Sequence, residues 1–295
     1  MKTEVIYQKC SQWVNDNFNF FNPVEKRKNV DNDLQMKAYI ELIFMYNMFF
    51  PKRVYSSDIE KKLHKLILNL SKDIDFNDYF LFDPILISGA EVLQDYMNNN
   101  NKDEFDIEKF KELILSKLDV LPRRMPYRQL DVAYSLNKIG INSNYPDTSK
   151  LYHQTILDHD YNPLYISDDL AYSITHTIFY MTDMGRKIQF SNTQNINNKL
   201  KDLITFYELK NNADILSECL ICLAFVNRDY QKDYLDIASV AFNVINNNQL
   251  DSGLVIAPGE SRESLKSNSK EQLFFKNYHT VLVTMGASFL WNKKN

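Results

Sequence analysis

The sequence predicts an all-α protein built from antiparallel helical hairpins. The chain has 295 residues but only 6 Gly and 8 Pro, too few for the many tight turns of a barrel or sandwich. Apolar residues recur at helical spacing along most of the chain. Candidate helix starts also follow one another roughly every 20 to 28 residues, the length of a helix plus a short loop to an antiparallel neighbour.

Capping signals, prolines and polar runs bound five predicted helices in the first part of the chain. Pro23 and Pro51 end the first two, because the residue before a proline disfavours helix. The third opens on a capping box that begins at Ser57, and the fourth has Pro84 at its first position. The polar run near 98–103 gives a weak internal boundary in what we expect to be one helical domain, 1–295. The five segments are 1–21, 31–50, 57–74, 83–96 and 106–118.

Seven further helices are predicted in the rest of the chain, at 126–139, 148–158, 167–186, 196–209, 212–226, 233–245 and 274–291. The only candidate strand is 253–258. Several of these helices are apolar nearly all round, as are the inner helices of a closed ring. We therefore expect an α/α toroid around a cavity or an irregular α-superhelix. No sequence repeat is visible, so a consensus solenoid is not expected.

The segment 167–186 is predicted to be the central helix. Ser167 provides a helix-start signal and Gly185 a helix-stop signal. Its residues form two adjacent stripes at helical spacing, one aliphatic and one aromatic, so the helix is apolar or aromatic on most sides and should be buried. The stripes are Leu170, Ile174, Ile178 and Met181, and Tyr172, His176, Phe179, Tyr180 and Asp183.

Composition narrows the class of protein. The formal net charge of −4 forces no basic face, so nucleic-acid binding is not expected. The most apolar run, 40–50, is too short to cross a bilayer, and the first ten residues lack a signal-peptide core. Three Cys do not make a disulfide framework. We expect a cytoplasmic protein with reduced thiols, no membrane contact and, without a Gly-rich phosphate loop, no nucleotide cofactor.

The central segment carries the first candidate site. Tyr172, His176 and Tyr180 repeat every four residues and Asp183 follows His176 by two turns, so all four share a face. An imidazole in an aromatic, partly dry pocket titrates near neutral pH, as acid–base catalysis requires. Asp183 lies roughly 10 Å further along the helix, too far to orient His176 directly. The alternative is a core histidine bonded to a carbonyl or a tyrosine hydroxyl.

A second histidine, His279, follows Tyr278 at the start of the last helix, beside the long loop 246–271. Loops of this length are usually functional lids or disordered, and we expect this one to cover a site. In a closed ring, His176 and His279 face each other. They then share acid and base roles, or bind a divalent metal with Asp183. The alternative is that the two histidines are unrelated.

Two other clusters carry weaker signals. Arg123, Arg124 and Arg128 open a helix, where positive charge opposes the helix dipole. Either Arg128 pairs with Asp131, or the arginines bind an anion such as a carboxylate, a phosphate or an acidic peptide. Cys219 and Cys222 form a single CxxC within an apolar helix. This spacing is a weak zinc signal, and buried thiols are favoured.

Two stretches resemble an uncharacterised group of bacterial, all-helical proteins. They are 126–141 and 162–185, the second containing a Tyr-x-x-Thr-His-Thr-x-Phe-Tyr-x-Thr-Asp run that begins at Tyr172. A Tyr-His-Thr near the C-terminus of that group matches 278–280 here. The resemblance implies that His176, Asp183 and His279 are features of the family, and it implies no reaction.

Two functions remain open from the sequence. The first is an enzyme that modifies a small molecule or peptide in a helical cavity, with His176, His279 and Asp183 as catalytic groups or metal ligands. Its substrate-binding side chains would be Tyr172, Tyr180, Tyr278, Arg124 and Arg128. The second is a non-catalytic helical scaffold that binds a peptide or protein partner through its arginines, with both histidines in the core.

Overall fold

The structure is a computed structural model, and it describes residues 2–25, 27, 30–73, 76, 86–102, 108, 111–112, 114–115, 125–141, 146–187, 190, 192–227 and 231–292. These residues form α-helices and short 3₁₀ turns, and their one β-bridge joins Gln249 to Val255. The predicted all-α class is confirmed, whereas the candidate strand 253–258 forms only this isolated bridge. No described helix is both long and apolar enough to cross a membrane.

The chain folds into two compact units. The larger unit contains residues 1–16 and 149–295, and the smaller unit contains residues 17–148. In chain order the helices are α1 (Thr3–Asp16), α2 (Asn32–Phe49), α3 (Ser57–Leu70), α4 (Leu86–Asn100), α5 (Pro126–Lys138), α6 (Thr148–Tyr152), α7 (Asp168–Met181), α8 (Thr193–Leu209), α9 (Ala213–Val226), α10 (Leu235–Asn248) and α11 (Lys270–Leu290).

The larger unit is organised around α9. Every residue of this helix is buried, and it packs against α7, α8, α10 and α11. The segment 167–186, predicted to be the central helix, forms α7 at the side of α9 and buries only part of its surface. The sequence predicts that the aromatic stripe of this helix is apolar and therefore buried. In the structure Tyr172, His176 and Tyr180 on that stripe stay partly exposed.

Local signals explain the ends of α7. The Ser167 hydroxyl accepts a hydrogen bond from the Leu170 amide, as a helix cap does. The helix ends at Met181, earlier than predicted, because Asp183, Met184 and Gly185 all take positive φ angles. A Cβ atom at Gly185 would lie 2.3 Å from the Phe225 ring, so only glycine fits between α7 and α9.

The long loop before α11 is partly core. Leu254, Val255 and Ile256 are buried. Gly253 has φ +89°, and a Cβ atom there would lie 2.0 Å from the Lys9 carbonyl oxygen on α1. Gln249 also donates a 3.2 Å hydrogen bond to the Ile6 carbonyl. The first half of the predicted lid therefore packs on α1 and holds it against the rest of the larger unit. Within this loop, only residues 258–269 remain candidates to cover a site.

The smaller unit packs α4 against α2 and α5. The polar run near 98–103, predicted to be a connector, instead continues α4 as far as Asn100, where the Tyr46 hydroxyl donates to the Asn100 side chain at 2.9 Å. The cap of α3 is Ser56 rather than Ser57. Most of the predicted helix 106–118 and the first residues of 83–96 lie outside the described residues.

Candidate functional site

Three helices of the larger unit bring two carboxylates and two imidazoles together. Asp214 and Glu218 lie one turn apart on α9, and His176 and His279 extend from α7 and α11. Because residues at i and i+4 share a helix face, the two carboxylates point the same way. We call Asp214, Glu218, His279 and His176 the carboxylate–histidine cluster.

Hydroxyl groups hold each carboxylate in place. Thr280 donates a 2.6 Å hydrogen bond to Asp214 Oδ1, and Tyr172 donates one of 2.6 Å to Asp214 Oδ2. Thr175 donates a 2.5 Å hydrogen bond to Glu218 Oε2. These contacts leave Glu218 Oε1 and the second lone pair of Asp214 Oδ2 directed to the histidines.

The imidazole nitrogens approach those oxygens at long distances, and His279 makes a weak hydrogen bond to Glu218 Oε1. His279 Nε2 lies 3.4 Å from Glu218 Oε1 and 3.7 Å from Asp214 Oδ2. His176 Nε2 lies 3.6 Å from the same Glu218 oxygen. Ordinary N–H···O distances are about 2.7 to 3.2 Å. The imidazole nitrogens and carboxylate oxygens thus surround a common point, and short hydrogen bonds do not join them directly.

Burial and charge set the protonation states. The carboxylate side chains are almost fully buried, with 3% of Asp214 and 1% of Glu218 exposed, whereas His279 is 33% exposed. Burial by itself raises the pKa of Glu218, but the charge of His176 and hydrogen bonds from both imidazoles lower it well below its usual value. Burial and the nearby carboxylates raise the pKa of Tyr172, so its hydroxyl remains a donor.

Asp214, Glu218 and His279 have the arrangement of a metal triad. One ligand atom of each lies within 4.8 Å of the others. Ligands about 2.1 Å from a tetrahedral ion stand roughly 3.4 Å apart, which is close to the imidazole–carboxylate distances found here. Two carboxylates would also neutralise a divalent ion. The residues present therefore fit a metal such as Zn²⁺.

His176 and His279, which the sequence predicts to face each other, approach the same oxygen of Glu218. Asp183, predicted to support them, lies beyond the end of α7, where it pairs with Arg186 at 3.4 Å and Lys187 at 3.9 Å. The side chains beside His176 include Glu218 and three aromatic residues, Tyr172, Phe179 and Tyr180.

Of the other predicted site residues, two tyrosines lie beside His176. Tyr172 and Tyr180 place their rings 6.1 and 6.4 Å from the His176 ring. Tyr278 is buried and stacks on Phe274 with ring centroids 5.5 Å apart. Arg128 belongs to the smaller unit and lies over the Tyr127 ring. Arg124 lies outside the described residues, as does Arg123.

Sequence reasoning missed Asp214 and Glu218. The prediction for this helix concerned its CxxC, whose cysteines are buried free thiols. The sequence does contain one indication of this site. Asp214 and Glu218 lie at i and i+4 in the most apolar of the described helices, which has no polar face that could expose them to water. A buried charge of this kind requires a partner.

A family model described as Domain of unknown function (DUF6895) matches residues 7–289, a range that includes α7, α9 and α11. No curated protein and no solved structure matches the chain. The expectation of an uncharacterised family is confirmed at this level. The chain belongs to the family defined by this domain of unknown function.

Proposed function

We propose that the protein is a metal-dependent enzyme that hydrolyses an amide or ester bond in a small molecule or peptide. Asp214, Glu218 and His279 bind one divalent ion, with Zn²⁺ as the first candidate. His176 acts as the acid–base group. The observation that carries the proposal is the convergence of one ligand atom each from Asp214, Glu218 and His279, all within 4.8 Å of one another.

The surroundings of these three atoms support a metal site. Thr280, Tyr172 and Thr175 fix the carboxylates from behind, as the outer hydrogen bonds of metal sites do. Three protein ligands leave a fourth position for water, which is the pattern of catalytic rather than structural zinc. The partial exposure of His279 and of His176, 20% for the latter, supports access to that position.

The reaction balances without an oxidant or reductant. A divalent ion lowers the pKa of water and polarises a carbonyl group. The water oxygen bonds to the carbonyl carbon, the carbon–nitrogen or carbon–oxygen bond breaks, and His176 carries a proton from the water to the leaving group. The products are a carboxylic acid and an amine or alcohol. Metal binding requires both carboxylate ligands to be ionised and the His279 imidazole to be neutral.

A non-catalytic role for the cluster requires a different charge balance. Two buried carboxylates on one helix destabilise the fold unless cations compensate them. Two protonated histidines would do so without metal, and the chain would then be the helical scaffold. The convergence of Asp214, Glu218 and the partly exposed His279 favours the metal.

Metal stoichiometry tests the proposal. The full chain, purified without added metal and without an affinity tag, is analysed by mass spectrometry for metals and, after chelation, titrated with Zn²⁺, Mn²⁺ and Fe²⁺ by calorimetry. We expect one tight site per chain and a loss of at least tenfold in affinity in Glu218→Gln and His279→Asn. Absence of a tight site would refute the proposal and favour the scaffold.

His153 provides a matched control. Its Nδ1 atom lies 2.8 Å from Asp158, so it is also a histidine–carboxylate pair, but it is 67% exposed and has no second converging carboxylate in the described residues. We expect His153→Asn to retain full metal stoichiometry. His176→Asn should retain metal and lose turnover of a peptide and ester panel, which separates acid–base catalysis from ligation.

A further inference from the structure

The larger unit also contains a polar cavity. Its volume is about 290 Å³, and it is walled by the start of α7, the turn between α8 and α9, the end of α10 and residues 256–260 of the long loop. Pockets for drug-sized ligands begin at about 300 Å³, so this cavity suits a small molecule.

Charges of both signs line the cavity. Lys210 Nζ lies 4.6 Å from the Phe206 ring centroid and 3.5 Å from Asp168 Oδ1. Because a short charge-assisted bond is about 2.7 to 2.9 Å, the ammonium keeps donors for a ligand carboxylate. The hydroxyl of Tyr207 donates to the same Asp168 oxygen at 2.9 Å. The contacts that the structure gives Asp168 within the described residues therefore use Oδ1, which leaves Oδ2 as an acceptor.

Glu260 supplies a second carboxylate in a fixed position. Ser264 donates to Glu260 Oε2 at 2.7 Å, and Lys276 lies 2.9 Å from Oε1. These hydrogen bonds lower the pKa of Glu260, so it stays charged. The cavity is lined by two carboxylates, Asp168 and Glu260, and by the Lys210 ammonium, while Lys276 pairs with Glu260 from outside the lining. Charges of both signs in one polar cavity complement a ligand that carries both charges.

Side-chain hydrogen bonds link two elements on the opposite side of the cavity. Asn211 and Asn248 exchange side-chain hydrogen bonds, at 2.8 Å from Asn248 Nδ2 and 3.4 Å from Asn211 Nδ2. This pair joins the α8–α9 turn to the end of α10. A wall formed before the ligand arrives reduces the ordering cost of binding.

The cavity and the carboxylate–histidine cluster share two helices, α7 and α9, although no residue of the cluster lines the cavity. Asp168 precedes Tyr172, the donor to Asp214, by one turn of α7. Asn212, which lines the cavity and caps α9, precedes Asp214 by two residues. At about 1.5 Å rise per residue, these offsets are about 6 and 3 Å along the helix axes.

We propose that the cavity binds a zwitterionic amino compound, an amino acid or a short peptide. The ligand carboxylate binds Lys210, and its ammonium group binds Asp168 and Glu260. Its assignment as substrate rests on the proposed function, whereas its binding does not, because the cavity residues are separate from the metal ligands.

The test uses the full chain with metal removed by a chelator. Glycine, L-alanine, L-leucine, Gly-Gly and L-Ala-L-Ala are screened by calorimetry and saturation-transfer NMR, each beside its N-acetyl and C-amide derivatives. We expect at least one zwitterion to bind and each blocked derivative to bind at least tenfold more weakly. Binding of dipeptides alone assigns a peptide ligand, and binding of single residues alone assigns an amino acid.

Variants locate the binding. Lys210→Met and Asp168→Asn should weaken the best ligand about tenfold. Lys201→Met and Asp169→Asn are matched controls that should not, because Lys201 lies over the Tyr234 ring instead and Asp169 is an exposed neighbour in the same helical turn.

The proposal is overturned if no zwitterion binds, if blocked derivatives bind equally well, or if Lys210→Met binds as the unmodified chain does. Zwitterion binding by a chain that binds no metal would refute the hydrolase and leave this inference standing.

Discussion

Thr280 donates a 2.6 Å hydrogen bond to Asp214 Oδ1 from the residue that directly follows His279. One turn of α11 thus contributes His279 to the proposed metal site and also holds Asp214, a second proposed ligand. This coupling predicts that Thr280→Val, which keeps the shape and removes the donor, weakens Zn²⁺ binding about tenfold. It should also lower the free energy of unfolding by about 1 to 3 kcal/mol, because a buried carboxylate loses a partner.

Calorimetry and denaturant unfolding measure both effects. Thr280→Ser retains a hydroxyl and should recover most of the metal affinity. Thr205 is an exposed threonine that bonds only to its own helix in the described contacts, so Thr205→Val serves as the control. Equal metal affinity in Thr280→Val and the unmodified chain would show that Asp214 needs no positioning.

Metal binding should stabilise the folded chain. A ligand that binds only the native state at 100 times its Kd adds about 2.7 kcal/mol. We expect Zn²⁺ at that ratio to raise the Tm of the unmodified chain by several degrees and to leave Asp214→Asn unchanged. The measurement is thermal unfolding with and without Zn²⁺, at pH 7.5 and at pH 5.5. Protonation of the histidine ligand should reduce the shift at the lower pH.

Part of this fold can be predicted from the sequence, and the success of the prediction differs from one helix to the next. Amphipathic helices such as α5, which begins at Pro126, and α8 follow from the spacing of their apolar residues. The carboxylate–histidine cluster could not be predicted in this way. Asp214 and Glu218 meet the two histidines only because α7 and α11 pack beside α9 in the folded chain. His176 and His279 stood out because histidine is rare in this chain. Asp183 is expected on the same helix face, but α7 ends before it, its own φ is positive, and it pairs with Arg186 and Lys187.

Buried thiols predict both reactivity and pH dependence. Burial raises the pKa of Cys10 to about 12 and raises the pKa values of Cys219 and Cys222 as well. The native chain should therefore resist a thiol reagent at pH 8, and all three cysteines should react after unfolding. Modification of any native cysteine on the time scale of an exposed thiol would contradict the buried assignment.

The sign of the pH effect follows from linkage. A raised folded pKa stabilises the fold below the unfolded pKa, about 8.5 for cysteine, and that stability is lost as pH rises above it. Between pH 8.5 and 9.5 we expect each thiol to cost about 1 kcal/mol of unfolding free energy. Cys10→Ala should reduce the total loss by about that amount in denaturant titrations at the two pH values.

Two glycines of the long loop offer a matched pair for the role of its first half. Gly253 and Gly259 have similar positive φ angles, +89° and +82°, but a Cβ atom at Gly253 would meet the Lys9 carbonyl while one at Gly259 would meet open space. Gly259→Ala should cost about 1 kcal/mol from backbone strain alone. Gly253→Ala adds a clash with the backbone of α1 and should cost at least about 3 kcal/mol.

Denaturant unfolding of both variants separates the cost of backbone strain from the cost of the clash with α1. Both variants carry the strain, and only Gly253→Ala carries the clash. If the loop fastens α1, Gly253→Ala should also expose Trp13, which stacks on Phe274 at 5.6 Å, and shift its fluorescence to longer wavelength. Gly259→Ala should leave that emission unchanged. Equal stability losses in the two variants, with no change in Trp13 emission, would mean that residues 249–257 are dispensable for holding α1.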